Sequence, residues 1–297
     1  MQEGGSPRGC SAARGDACGR AGCLRGAGFV TGGPASVDPG SFELTGVLDA
    51  AVLCLHGLTG TPYEMRSIGE ACAERGISAF GPALPGHSET PEALHRVASF
   101  RAWVDAARFH AHGLRSRYGR VFAAGLSMGG LLALSLATED VFDALVVVGT
   151  PLKLPLGVRL AVPLLWRVRR FQPKSGGSDI QDAEARARHP SYPVLPLRSV
   201  NELIKLQRRV RASLTRVHSP ILVAHGALDR TASTADARAI LEGVSSRERE
   251  FLSCDASGHV VPVDVDAPLL AEAAASFLLR HTPATQVAAP SAPSRAR

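Results

Sequence analysis

VFAAGLSMGGLLALSLAT, residues 121–138, sets a serine at the junction of two patterns. Residues 121–125 are a short continuous apolar run, as expected of a strand buried on both faces of a parallel sheet. Residues 128–138 read as a helix. Ser127 lies between them, flanked by Gly125, Gly129 and Gly130. A Gly-x-Ser-x-Gly turn at a strand-to-helix junction strains the serine backbone and lifts its Oγ above the sheet, while the glycines let neighbouring backbone approach. The helix N-terminus beneath it supplies positive potential where an oxyanion would develop. The five-residue pattern is common; its place between strand and helix makes Ser127 the candidate nucleophile.

The same alternation continues on both sides. Strands are expected at 41–46, 51–55, 77–80, 144–149, 221–224 and 249–253, with helices at 63–75, 99–117, 233–242 and 267–280. Strands alternating with long helices give βαβ units, so the fold class is α/β: a mostly parallel central sheet flanked by helices. The proline-rich stretch from 151 to about 205 interrupts this order and reads as an inserted cap. Residues 1–40 and 282–297 differ in composition and are expected to be disordered tails, which leaves 41–281 as the domain.

A serine hydroxyl needs a base. His259, in Ala256-Ser257-Gly258-His259 after the last strand, is the candidate. The imidazole needs a carboxylate at its other nitrogen. Asp229 follows strand 221–224, and the chain order Ser127, Asp229, His259 fits the Ser…Asp…His order of this sheet type. Asp255 and Asp264 lie closer in sequence, but each would need an awkward local return, and both rank below Asp229. Two backbone donors should hold the tetrahedral intermediate. The Met128 amide is one, and the Leu58 amide, in the loop after strand 51–55, is the other. His56, His87 and His225 are read as structural.

With these residues in place, the sequence resembles the bacterial carboxylesterase and monoacylglycerol lipase group of α/β hydrolases. The resemblance rests on His56-Gly57-Leu58-Thr59-Gly60-Thr61-Pro62, Gly125-Leu126-Ser127-Met128-Gly129-Gly130, the Asp229 loop, Ser257-Gly258-His259 and the stretch from Tyr192 to Pro220. It spans roughly residues 48–280. It implies hydrolysis of carboxylic esters through an acyl-enzyme on Ser127, with no metal and no cofactor. Two departures stand out: Arg230-Thr231-Ala232 follows the acid where the group often has Asp-x-x-Val, and residues 154–171 are unusually basic and proline-rich. The same three catalytic groups would also serve C–C bond hydrolysis or perhydrolysis, and a binding protein on this scaffold is a further alternative.

Leu154, Leu156, Val158, Leu160, Val162, Leu164, Leu165 and Trp166 alternate with Arg159, Arg167, Arg169 and Arg170. An apolar inner wall would suit an acyl chain, which makes a small, lipid-like ester the expected partner. Basic residues on the outer face could meet an anionic membrane surface, or simply face water. The net charge of +6 with only 5% aromatic residues argues against a nucleic-acid binder. Residues 1–28 lack the apolar stretch of a secretory signal. Cys54, Cys72 and Cys254 fall in apolar segments and read as buried thiols, so the expected location is cytoplasmic. The oligomeric state is not legible from the sequence.

Overall fold

The computed structural model describes residues 38–283. The expectations for the two ends of the chain, and Cys10, Cys18 and Cys23, lie outside the described residues. In chain order the first half contains β1 (Phe42–Leu44), β2 (Ala50–Leu55), α1 (Arg66–Glu74), β3 (Ser78–Gly81), α2 (Pro91–Arg96), α3 (Phe100–Arg115), β4 (Arg120–Leu126), α4 (Met128–Ala137) and β5 (Ala144–Val148). The second half contains α5 (Leu156–Leu165), β6 (Phe171–Pro173), α6 (Ala183–Arg188), β7 (Val194–Pro196), α7 (Leu197–Ser213), β8 (Ile221–Gly226), α8 (Thr234–Gly243), β9 (Arg249–Cys254) and α9 (Ala267–Arg280).

Seven strands form one sheet in the order β1-β3-β2-β4-β5-β8-β9. Only β1 runs antiparallel, against β3. The inner strands are apolar throughout because both faces are covered, and their side chains divide with the two-residue period of a strand. Ala51, Leu53 and Leu55 of β2 join Val121 and Ala123 of β4 in a core with Trp103, Leu131 and Leu134. Ala50, Val52 and Cys54 join Phe122 and Ala124 in a second core with Ile68, Leu270 and Phe277.

The strand order reverses between β2 and β4. From β2 the chain turns to α1 on one face, and from β4 it turns to α4 on the other. The paired ends Leu55 and Gly125 therefore carry loops that diverge, leaving a crevice above the sheet.

Several boundaries differ from the expected ones. The helix expected at 63–75 begins as a 3₁₀ turn, Pro62–Met65, before α1. The first strand is short, and Gly46 leaves the sheet with its amide on Ser78 Oγ at 3.0 Å. The insert departs after β5 and contains α5, α6 and a two-stranded ribbon, β6–β7. Residue 205, the expected end of the cap, falls inside α7, which continues unbroken to Ser213. Among the described residues no helix is long and apolar enough to cross a membrane.

Candidate active site

Ser127 sits between β4 and α4 with φ 54° and ψ −110°, a left-handed conformation that costs a non-glycine residue energy. The sequence enforces it by packing. A Cβ on Gly129 would collide with the Leu55 carbonyl, and one on Gly125 with the backbone of Gly129. The Ser127 amide donates to Val148 O at 2.8 Å, which ties the turn to the end of β5. The serine is 9% exposed, and every residue of α4 is buried behind it.

Asp229 and His259 come from the loops after β8 and β9. His259 Nδ1 donates to Asp229 Oδ2 at 2.8 Å. An ionised carboxylate only accepts, so Nδ1 carries the proton and Nε2 is left basic. Gly149, at the end of β5, lies against both groups: a Cβ there would come within 3.3 Å of His259 Nδ1 and 3.5 Å of Asp229 Oδ2. β4, β5, β8 and β9 therefore bring Ser127, Gly149, Asp229 and His259 to one end of the sheet. Among the described residues no hydrogen bond joins Ser127 Oγ to His259 Nε2. Such contacts commonly tighten only when substrate binds.

The Asp229 side chain is closed to solvent, accepts three hydrogen bonds and has a second histidine against it. Oδ1 accepts the amides of Thr231 at 2.7 Å and Ala232 at 2.8 Å. Oδ2 accepts His259, and His225 Nε2, which meets Ala232 O at 3.3 Å, lies 3.2 Å from it. Burial alone would raise this carboxyl, but the bonds from His225 and His259 reverse that and hold it well below the usual carboxylate range. The departure at residues 230–232 is accommodated, because that stretch contributes backbone amides. His225, expected to be structural, touches the acid directly. Asp255 and Asp264 are occupied elsewhere: Asp255 accepts Ser253 Oγ, and Asp264 accepts the amides of Gln181, Asp182 and Gly258.

The loop after β2 is pinned through its peptide groups. His56 Nε2 accepts the Leu84 amide at 3.1 Å, so its proton is on Nδ1, which meets Gly57 O at 2.9 Å. Burial lowers the His56 pKa and keeps the ring neutral. In a trans peptide the carbonyl and the next amide point in opposite directions, so fixing Gly57 O also fixes the direction of the Leu58 N–H. Among the described residues neither the Leu58 amide nor the Met128 amide has a hydrogen-bond partner. The free Met128 amide is expected in the first turn of α4. His87 meets the rings of His56 and Trp103 edge-on, and burial pushes its pKa down to about 3.

Sequence reasoning missed three further groups here. Glu64 Oε2 accepts the Gly57 amide at 2.8 Å, and its Oε1 meets His189 Nε2 at 3.1 Å. Lys174 Nζ donates to Thr59 Oγ1 and Ser191 Oγ, each at 2.6 Å. A glutamate and a lysine in polar stretches carry no local signal of such partners.

The insert corrects one expectation. Leu156, Leu160, Leu164 and Val168 are 65%, 65%, 71% and 84% exposed, so they do not form an inner wall. The spacing of four sets Leu156, Leu160 and Leu164 on one face of α5, and Val168 lies in the turn after it. Val162, on another face of α5, packs with Leu197, Val200 and Ile204, and Leu58 rests against that cluster.

A family model described as serine aminopeptidase, S33, matches residues 46–266. The chain is 31% identical over 237 residues to a thermostable monoacylglycerol lipase of Bacillus sp. (strain H-257), covering 77% of this chain and 90% of that one. It is 26% identical to a carboxylesterase of Bacillus subtilis (strain 168), covering 82% and 97%. A solved structure from work on LipS and LipT, two metagenome-derived lipolytic enzymes, superposes with a TM-score of 0.77 at 27% identity, covering 82% of this chain and 98% of that one. With the sheet order, the strained serine and these relatives together, the chain belongs to the S33 serine aminopeptidase family of α/β hydrolases.

Proposed function

We propose that this protein hydrolyses carboxylic esters through an acyl-enzyme on Ser127. The observation that carries this reading is the serine held at φ 54° at the end of β4, on the same sheet end as a His259–Asp229 pair bonded at 2.8 Å. Ser127 Oγ attacks the ester carbonyl carbon while His259 Nε2 takes the hydroxyl proton. The carbonyl oxygen becomes an oxyanion facing the Leu58 and Met128 amides. Asp229 holds the imidazole in the required tautomer and stabilises its cation. The intermediate collapses, the bond to the alkoxide oxygen breaks, and His259 returns its proton to the departing alcohol. Water then repeats the sequence against the acyl-enzyme and releases the carboxylic acid. These residues carry the reaction with no metal or cofactor.

The relatives named as a monoacylglycerol lipase and a carboxylesterase support a small, lipid-like ester as substrate. The exposed apolar stripe on α5, interspersed with Arg159, Arg167 and Arg169, fits contact with an anionic lipid surface. Cys54, Cys72 and Cys254 are free, buried thiols, as suits a reducing cytoplasm.

The test is hydrolysis of p-nitrophenyl esters of graded chain length and of a monoacylglycerol, with aminoacyl p-nitroanilides alongside. Ser127→Ala is expected to lower kcat by about 10⁴-fold or more and to abolish fluorophosphonate labelling. Ester activity retained in that variant would refute the reading. Cleavage of only amides or diketones by the wild type would move it to another hydrolysis.

A further inference from the structure

We propose that Glu64 is a positioning residue for the oxyanion site, holding the Gly57 amide with one oxygen and the insert residue His189 with the other. The inference rests on the ester-hydrolase reading and names the device that sets the Leu58 amide.

The two contacts are 2.8 Å to Gly57 N and 3.1 Å to His189 Nε2. The side chains of His189 and Glu64 are 2% and 5% exposed. Burying a carboxylate is costly unless strong donors surround it. Burial acts to raise the Glu64 carboxyl, but the His189 bond and the Gly57 amide outweigh it and hold the group below its ordinary value, ionised at neutral pH. An ionised acceptor holds an amide more firmly than a neutral one. His189 must then carry its proton on Nε2, and its Nδ1 is held by Ser178 Oγ at 2.7 Å. The chain therefore runs from Ser178 and His189 in the insert to Glu64, and from Glu64 to the peptide just before the Gly57–Leu58 unit.

The fit is close. A Cβ on Gly60 would overlap the Glu64 carboxylate, so the loop is wrapped around this group. His56 and the Gly60 amide hold the Gly57 carbonyl from within the loop while Glu64 fixes the Gly57 amide, so both peptides flanking Gly57 are oriented. The next residue but one, Thr59, has φ 68°. The insert holds it through Lys174 Nζ on Oγ1 and through its carbonyl, which accepts the Tyr192 amide at 3.1 Å. The Leu58 amide thus lies between two points that the insert secures. The insert completes the oxyanion site without supplying either of its donors.

The test separates a positioning role from a merely structural one. Steady-state kinetics and inhibition by a trifluoromethyl ketone, which forms a tetrahedral adduct, are measured beside binding of the carboxylate product. In Glu64→Ala, kcat is expected to fall about 10–100-fold with KM within about threefold, less than outright removal of an oxyanion donor. Trifluoromethyl ketone affinity should fall with kcat/KM, while product binding holds. Glu64→Gln still offers an oxygen to Gly57 and should recover kcat to within about threefold of wild type. His189→Phe frees the insert end of the link and should cost about 3–10-fold in kcat, with the Glu64→Ala/His189→Phe double variant no worse than Glu64→Ala alone.

Unchanged kcat in folded Glu64→Ala, or equal losses of product and ketone binding, would overturn the inference. If Glu64→Ala does not fold, Glu64→Gln and His189→Phe decide it: unchanged kcat in His189→Phe, or no recovery in Glu64→Gln, overturns it. Ester hydrolysis by wild type and its loss in Ser127→Ala show whether the underlying reading stands, so the two failures are distinguishable.

Discussion

The two halves of the proposed active site, acid–base and oxyanion, are built differently. The proposed acid–base half is held by its own strands: Asp229 takes two amides from its own loop, at Thr231 and Ala232, and one bond from His259 after β9, with His225 of β8 lying 3.2 Å away. The oxyanion half leans on the insert, through Glu64 to His189 and Thr59 to Lys174. The first half is set by the ends of two sheet strands, β8, buried throughout, and the edge strand β9. The second is set partly by a segment whose surface is largely exposed. Chemistry can therefore be held constant in the sheet while the insert changes what reaches it.

The sharpest way to break the comparison is on the sheet side. Asp229→Asn puts a group at His259 Nδ1 that can donate as well as accept, so the imidazole can present its proton to Ser127 instead of a lone pair. A fall in kcat of about 10³–10⁴-fold is expected, with KM little changed. Stopped-flow ester hydrolysis reads it, and a loss below about tenfold would mean that Asp229 does not hold the base.

His225→Leu is milder. It removes the imidazole that lies against Asp229 Oδ2 and leaves His259 in place, so kcat should fall about 3–10-fold. The carboxyl of Asp229 is held below its ordinary value in the folded state. The stability it contributes is thus present above about pH 4 and is lost as the pH falls through the folded value. Without His225 that folded value rises toward the ordinary one and the contribution shrinks. Melting temperatures between about pH 3 and pH 7 should show a smaller gain on leaving acid in His225→Leu than in wild type. Equal slopes would show that His225 does not act on the acid.

What the sequence made legible follows the same division. The strand, serine and helix at 121–138 are one local pattern, and the glycines around it carry their reason in their neighbours. Asp229 and His259 could be named because each follows a strand, in the Ser…Asp…His chain order of the α/β hydrolases that the sequence resembles. His225 looked structural because a histidine ending a strand gives no hint of the residue four positions on. Glu64 was invisible: its partner His189 lies 125 positions away, and a glutamate at the start of a helix reads as a solvated charge. The insert misled for another reason. Residues 154–168 are apolar on more than one helical face, and periodicity cannot say which face finds a partner. Val162 found Leu197, Val200 and Ile204, which left Leu156, Leu160 and Leu164 outward.

The smallest expected effect concerns Lys174, the second tie between insert and loop. Its ammonium donates to two neutral hydroxyls, and burial pushes its pKa down to about 8. The folded protein therefore sheds this proton near pH 8, while the unfolded chain keeps it to about 10.4. Across that window the unfolded state binds more protons, so stability rises with pH; below about 8 the cost of the buried charge is felt in full. Lys174→Met removes the charge and keeps most of the bulk, so it should lack this rise. The difference in melting temperature between wild type and variant should change by about 2–4 °C between pH 7.5 and pH 9.5, for each kcal/mol of linkage. Scanning calorimetry at the two pH values measures it. A constant difference would mean that the ammonium stays hydrated, and that the insert holds Thr59 through the Tyr192 amide alone.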